Sequence, residues 1–282
     1  MLRVGRIRYI NCYPVYGGIE RGVVPFDGTL VDGIPTQLNQ LMAAGDLDVS
    51  VVSAVEYARD AHQLLLLPEL GITSDGPVRS VVLFSKRAPK DLGGRRVIVS
   101  RSSMTSVALL ELLFEHVWRC RPEFVPGDAE LGDIARFNDE EHDARLVIGD
   151  AALRLHEESR RGGLWATRYP HQEDLGAAWK AWTGLPFVFA VWVAQRRTPV
   201  HQALAAHASL IASRDWGLAH LDTLAAQAAI ASGVPRETCR EYFDGLDYRL
   251  SYPHLAGLTE FFRRLVLAGR VPDGTLAFLP AA

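Results

Sequence analysis

Cysteine, lysine, long apolar runs and a surplus of either charge are what this 282-residue chain has least of. No stretch reaches the roughly 18 uncharged apolar residues that a membrane-spanning helix needs. Cys12, Cys120 and Cys239 are odd in number and form no CxxC, which argues against a disulfide framework and fits a reducing compartment. Thirty Lys plus Arg stand against 33 Asp plus Glu, intermixed along the chain, for a formal net charge of -3. There is thus no basic stripe for a nucleic acid and no acidic tail for a basic partner. Lysine is rare, so arginine carries most of the positive charge. Its planar fork suits carboxylates, although GC-rich coding gives the same excess. The start, MLRVGRIRYINCYP, lacks the pattern of a secretory leader, and a cytoplasmic location is expected.

The motifs of common cofactor chemistry are missing as well. No GxGxxG, GxxxxGK[ST] or GxSxG occurs, and none of the nine histidines forms an HExxH. No dinucleotide, P-loop nucleotide or metal is therefore expected.

What is present is a chain rich enough in apolar residues, at 48%, for a large core. Up to residue 193, strand-like and helix-like segments alternate. Strands are predicted near 2–10, 49–52, 64–67, 81–84, 95–100, 146–148 and 187–193. Helices are predicted after a Thr36 cap with Gly45 as its stop, at 55–60, from Met104 to about Trp118, at 151–158 and around Trp179 and Trp182. From Pro199 onward the pattern is almost wholly helical, with segments near 202–213, 217–232, from 235 and 255–268. Alternation with short connections predicts an α/β protein with parallel sheets. Crossings near Ala88–Gly94 and after the strand ending at Val193 would make two lobes, 1–86 plus 194–282 and 87–193, with a cleft between them. One continuous doubly wound sheet remains open on these grounds.

Five places carry polar groups where such folds bind ligands. Ser100–Ser106 follows a predicted strand and opens a predicted helix. The free N–H groups there and the hydroxyls of Ser102, Ser103, Thr105 and Ser106 make a seat for a carboxylate, or else a plain N-cap. Asn11 lies just past the first strand, where open α/β sheets hold ligands, or it holds its own turn. Arg79-Ser80 and Gly149-Asp150 sit at strand ends. Arg79 would meet a carboxylate or solvent, and Asp150 most simply caps the next helix. Thr183 and Gly184 mark a turn before a strongly strand-like run.

These segments together resemble the chorismate dehydratase family. The matching residues are Gly5-Arg-Ile-x-Tyr-Ile-Asn11 with Pro14, Ser50-Val-Val-Ser53 with Glu56-Tyr57, Arg79-Ser-Val, Ser102-Ser-x-Thr-Ser106, Gly149-Asp-Ala151 and Thr183-Gly-Leu-Pro-Phe-Val-Phe-Ala-x-Trp192. The resemblance implies a periplasmic-binding-protein type II fold with two α/β lobes and a helical tail. It implies a carbon–oxygen hydro-lyase without cofactor, converting chorismate to 3-[(1-carboxyvinyl)oxy]benzoate in the futalosine route to menaquinone. Asn11 and Ser80 fall at its catalytic positions. Ser53, Arg79, Ser102, Ser103, Thr105, Ser106, Gly149, Asp150 and Thr183 are the expected substrate-binding set. The substrate's enolpyruvyl carboxylate is the expected proton acceptor, with Glu56 the residual alternative. Two other readings stand beside this one. They are the 1,4-dihydroxy-6-naphthoate synthase of the same pathway, associated with a histidine near the cleft, and a non-catalytic binder of small anions. The expected partner is a small dicarboxylate, and no oligomer is predicted.

Overall fold

The computed structural model describes residues 1–101, 103–127 and 141–280. Two five-stranded sheets form its framework. The first contains β1 (Arg3–Ile7), β2 (Thr29–Gly33), β3 (Val49–Ser53), β4 (Leu64–Ser74) and β10 (Phe187–Gln195), in the order β2-β1-β3-β10-β4. The second contains β5 (Val81–Ser85), β6 (Arg96–Ser100), β7 (Glu123–Gly127), β8 (Ala144–Ile148) and β9 (His171–Asp174), in the order β7-β6-β8-β5-β9.

The chain changes sheet earlier at both crossings than the apolar pattern predicts. Val81–Ser85 pairs with β8 and β9, so the outgoing crossing lies between Ser74 and Val81 rather than after residue 86. Phe187–Gln195 pairs with β3 and β4, so the return precedes Phe187 rather than following residue 193. A buried apolar run reads the same in either sheet, and only its partners decide. Nor are the sheets purely parallel: β10 runs against both its neighbours, and so does β5. Each is the first strand laid down after a crossing.

The central strands are buried on both faces, β3, β5, β8 and β10 at every position. That burial explains their continuous Val, Leu and Phe content. Three strands lie outside the predicted set. Thr29–Gly33, Glu123–Gly127 and His171–Asp174 are edge strands with few fully buried residues, and their polar composition hides them.

Helices cover the sheets. In the first sheet these are α1 (Tyr13–Glu20), α2 (Pro35–Ala44) and α3 (Ala54–Asp60). Helix α2 begins at Pro35, not after a Thr36 cap, and the Ile34 N–H donates to Gln37 Oε1 at 3.2 Å. Gly45 closes it in the left-handed conformation with φ 75°, as predicted. The second sheet carries α4 (Met104–His116), α5 (Gly149–Arg160), α6 (Leu164–Arg168) and α7 (Leu175–Thr183). The tail supplies α8 (Val200–Ala219), α9 (Leu221–Ser232), α10 (Arg236–Gly245) and α11 (Tyr252–Leu267). No helix of the described residues is long and apolar enough to cross a membrane.

Candidate functional site

Between the two sheets lies a cavity of about 580 Å³, part of it open to solvent. Its walls include the carboxyl ends of the parallel strands β1, β3 and β6 and the segments that follow them, where open α/β sheets place ligands. Ile7, Tyr9, Asn11 and Ser53 come from the first sheet's side, with Phe189 and Ala190 from β10. Ser80, Val81, Ser103, Ser106, Ile148 and Gly149 come from the second. Six residues singled out in the sequence therefore meet in one space: Asn11, Ser53, Ser80, Ser103, Ser106 and Gly149.

No acidic, basic or histidine side chain lines this cavity among the described residues. Its polar atoms are hydroxyls and one carboxamide, each set by particular neighbours. The Asn11 Oδ1 is buried and has no hydrogen-bond partner among the described residues. An unpaired buried carbonyl oxygen is unfavourable by about 1–3 kcal/mol, and a ligand donor removes that cost. Ser53 sits at the end of β3 beside Asn39 of α2. Asn39 Nδ2 donates to Ser53 Oγ at 3.1 Å, and Asn39 Oδ1 accepts the Ser53 N–H at 3.4 Å. The amide can therefore face only one way.

Ser80 is held at three points. The Asp174 carboxylate takes the Val78 and Arg79 N–H groups at 3.0 and 2.6 Å, fixing the backbone just before it. The Gly149 N–H donates to the Ser80 carbonyl at 2.8 Å. The Tyr242 phenol, from α10, meets Ser80 Oγ at 2.8 Å. Burial pushes that phenol well above its ordinary range, with the Ser80 hydrogen bond acting weakly the other way, so it stays protonated.

At the start of α4, Ser103 is the N-cap. Its Oγ accepts the Ser106 N–H at 3.2 Å and lies 2.8 Å from Ser106 Oγ. The plain capping role is thus present, and both hydroxyls also border the cavity. Ser102 lies outside the described residues. Gly149 opens α5 at φ 64°, and a Cβ there would stand 3.3 Å from the Tyr9 ring. Glycine suits that spot on both counts.

Four expected contacts lie elsewhere. Thr105 is buried on the far side of α4, where its Oγ1 accepts the Val55 N–H of α3 at 3.1 Å. Arg79 has φ 62°, and its guanidinium pairs with Glu241 at 3.1 Å at the surface. Thr183 Oγ1 donates to the Trp179 carbonyl at 2.9 Å and accepts the Leu185 N–H at 3.2 Å, which ends α7. Asp150 stands in the first turn of α5, where its carboxylate accepts the Ile10 N–H from across the cleft at 3.2 Å. Glu56 is not a lining residue either. Burial raises its pKa, opposed by Arg59. Cys12 is fully buried beside the cleft, as a small filler would be.

Thr105 gives a sharp test of these placements. Thr105→Val keeps the shape but leaves the buried Val55 N–H unpaired. A loss of about 1–3 kcal/mol in denaturant unfolding is expected, with substrate KM unchanged. A raised KM at full stability would instead return Thr105 to the binding surface.

Tyr242 and Asn39 carry no signal of this role in the sequence. Tyr242 belongs to the buried face Cys239, Tyr242 and Phe243 of α10. That spacing marks a packed helix face and nothing more.

A family model described as menaquinone biosynthesis matches residues 2–266. The chorismate dehydratase of Thermus thermophilus is 32% identical over 272 residues, which cover 94% of this chain and 95% of that protein. Among solved structures, protein AF1704 of Archaeoglobus fulgidus matches with a TM-score of 0.78 at 19% identity, over 96% of this chain and 98% of that one. The Candida albicans CA3427 gene product, which exhibits the generic periplasmic binding protein structural fold, matches with a TM-score of 0.68 at 12% identity, over 98% of this chain and 92% of that one. At such identities the structural likeness speaks for the fold alone, which is that of the periplasmic binding proteins.

Proposed function

The chain belongs to the menaquinone biosynthesis family, and from that membership we propose that it is a chorismate dehydratase, a carbon–oxygen hydro-lyase acting in the cytoplasm. The observation that carries the reading to the level of chemistry is the neutral cleft. Asn11, Ser53, Ser80, Ser103 and Ser106 line it, and no charged side chain does so among the described residues.

Such a site suits a reaction whose substrate brings its own base. Chorismate loses the hydrogen at C3 and the hydroxyl at C4. The C3–H pair becomes a ring π bond, the C4–O pair leaves with oxygen, and the ring becomes aromatic. The enolpyruvyl carboxylate takes the C3 proton and passes it to the departing oxygen, so that water is the only other product. The protein's part is orientation and fixed hydrogen bonds. Ser80 donates to the departing oxygen, and Asn11 Oδ1 accepts a hydrogen of that same hydroxyl. Ser103 and Ser106 receive a carboxylate at the start of α4.

Incubation with chorismate alone tests this. The expected product is 3-[(1-carboxyvinyl)oxy]benzoate, seen by its ultraviolet spectrum and mass, with no added cofactor. Unchanged chorismate would mark a binder, and turnover of a cyclic futalosine derivative alone would mark the naphthoate synthase. The pH dependence is a second check. With no acidic or histidine side chain lining the cleft among the described residues, kcat/KM is expected to stay flat over roughly pH 6–9. A limb near pH 6.5 would reveal a histidine base and overturn the substrate-base mechanism.

A further inference from the structure

Resting on the dehydratase reading of the cleft, we propose that Tyr242 is a positioning residue that fixes Ser80 as a hydrogen-bond donor, aiming the serine proton at the departing oxygen. The two hydroxyls lie 2.8 Å apart, and Tyr242 and Ser80 are 1% and 3% exposed. One of them must donate. A phenol is the stronger donor and the poorer acceptor, so the shared hydrogen is the tyrosine's. Burial keeps that phenol protonated at any working pH. Ser80 Oγ then has a lone pair engaged behind it, and its own hydrogen must point elsewhere. Its backbone is pinned by Asp174 and Gly149, so the open direction is the cavity it lines.

This orientation casts Ser80 as a donor rather than a base: one of its two lone pairs already accepts from Tyr242, and its hydrogen is turned toward the cavity. It also explains how a lone serine serves without a histidine partner: its task is to give a hydrogen bond, not to lose a proton to the protein. The arrangement recurs independently at Ser53. There the donor is Asn39 Nδ2, which can do nothing but donate, so the direction of that bond is unambiguous. Two cleft serines on opposite walls are thus turned into donors by buried neighbours that do not themselves line the cavity. A dicarboxylate substrate with a leaving hydroxyl needs that polarity. Tyr242 also brings a tail helix into the site, since α10 lies far along the chain from the sheets it serves.

The test is a double-mutant cycle in chorismate turnover. Tyr242→Phe keeps the ring and removes only the donor. Its kcat is expected to fall roughly twofold to thirteenfold, the factor that loss of one hydrogen bond of ordinary net strength gives, with KM nearly unchanged. In a Ser80→Ala background the same change is expected to cost less than about twofold, because the group it positions is gone. A Tyr242→Phe loss of equal size in both backgrounds means a general structural role and overturns the proposal, as does wild-type kcat in the single variant. Tyr242→Met, a second variant of adaptable shape lacking the hydroxyl, repeats the comparison if the Phe protein is recovered unfolded. Full turnover by Ser80→Ala would sink the Ser80 reading itself, a result separate from the failure of the Tyr242 coupling.

Discussion

Ser80→Ala and Asn11→Ala, each checked for folding by circular dichroism, are expected to turn chorismate over roughly ten- to a thousandfold more slowly than the intact protein, with much smaller changes in KM. The size follows from what the site lacks. With no charged side chain in the cavity among the described residues, each fixed hydrogen bond carries a larger share of transition-state stabilisation. The departing oxygen gains negative charge as the C4–O bond breaks, so the Ser80 donor aimed at it matters more in the transition state than in the ground state, while the Asn11 Oδ1 acceptor holds the same hydroxyl in the orientation for departure. That asymmetry lowers kcat rather than raising KM. Asn11 is the freer of the two, with its Oδ1 buried and without a hydrogen-bond partner among the described residues, so it waits for a ligand already in place. Ser80 is braced through backbone and hydroxyl, and its alanine variant removes the hydroxyl while leaving the backbone anchors at Asp174 and Gly149 in place. Full activity in both folded variants would defeat the assignment and return Asn11 to a turn and Ser80 to a strand end.

The two residues are visible in the sequence because each follows a recognisable strand-end pattern and the resemblance covers both. Other parts of the site are legible only up to a point. Ser103 and Ser106 are three apart on α4 and share a face, whereas Thr105 between them is turned toward α3. Helical periodicity alone separates them, but the density of hydroxyls draws all of them into one set. Arg79 enters that set through its neighbour Ser80, yet its positive φ sends the side chain to Glu241 at the surface. Asp150 reads as a local cap, and the partner it finds is the Ile10 N–H across the cleft, which no local pattern encodes. Buried strands such as Val49–Ser53 and Phe187–Gln195 announce themselves by continuous apolar content, but not which sheet they join. That choice is made by pairing between distant segments, and it moves both crossings. Tyr242 and Asn39 act through tertiary contacts alone, so nothing in their surrounding sequence marks them.

The return crossing tolerates little change, and Gly257→Ala is expected to lower stability by about 3 kcal/mol or more, at or beyond the upper end for an overpacked core. Gly257 is buried in α11 against the last residue before β10. A Cβ on it would stand 2.0 Å from the Pro186 carbonyl oxygen and 3.1 Å from its carbonyl carbon. Backbone cannot step aside as a flexible side chain can. The same Pro186 oxygen accepts the Trp179 indole N–H at 3.1 Å, and Trp179 is fully buried with Phe187 and Phe261 packed edge-on against its ring. Moving the carbonyl therefore strains the joint between α7, which serves the second sheet, and β10, which completes the first. It also shifts the strand carrying Phe189 and Ala190 into the cleft. Gly245 is the control. It is exposed at the end of α10, and a Cβ on it would meet nothing within 4 Å, so alanine there is expected to change stability by less than about 1 kcal/mol. Urea unfolding of both variants, compared at equal m value, decides the matter. Equal stability of the two alanine proteins would mean that α11 can draw back from Pro186, and that the close approach is not what holds the crossing in place.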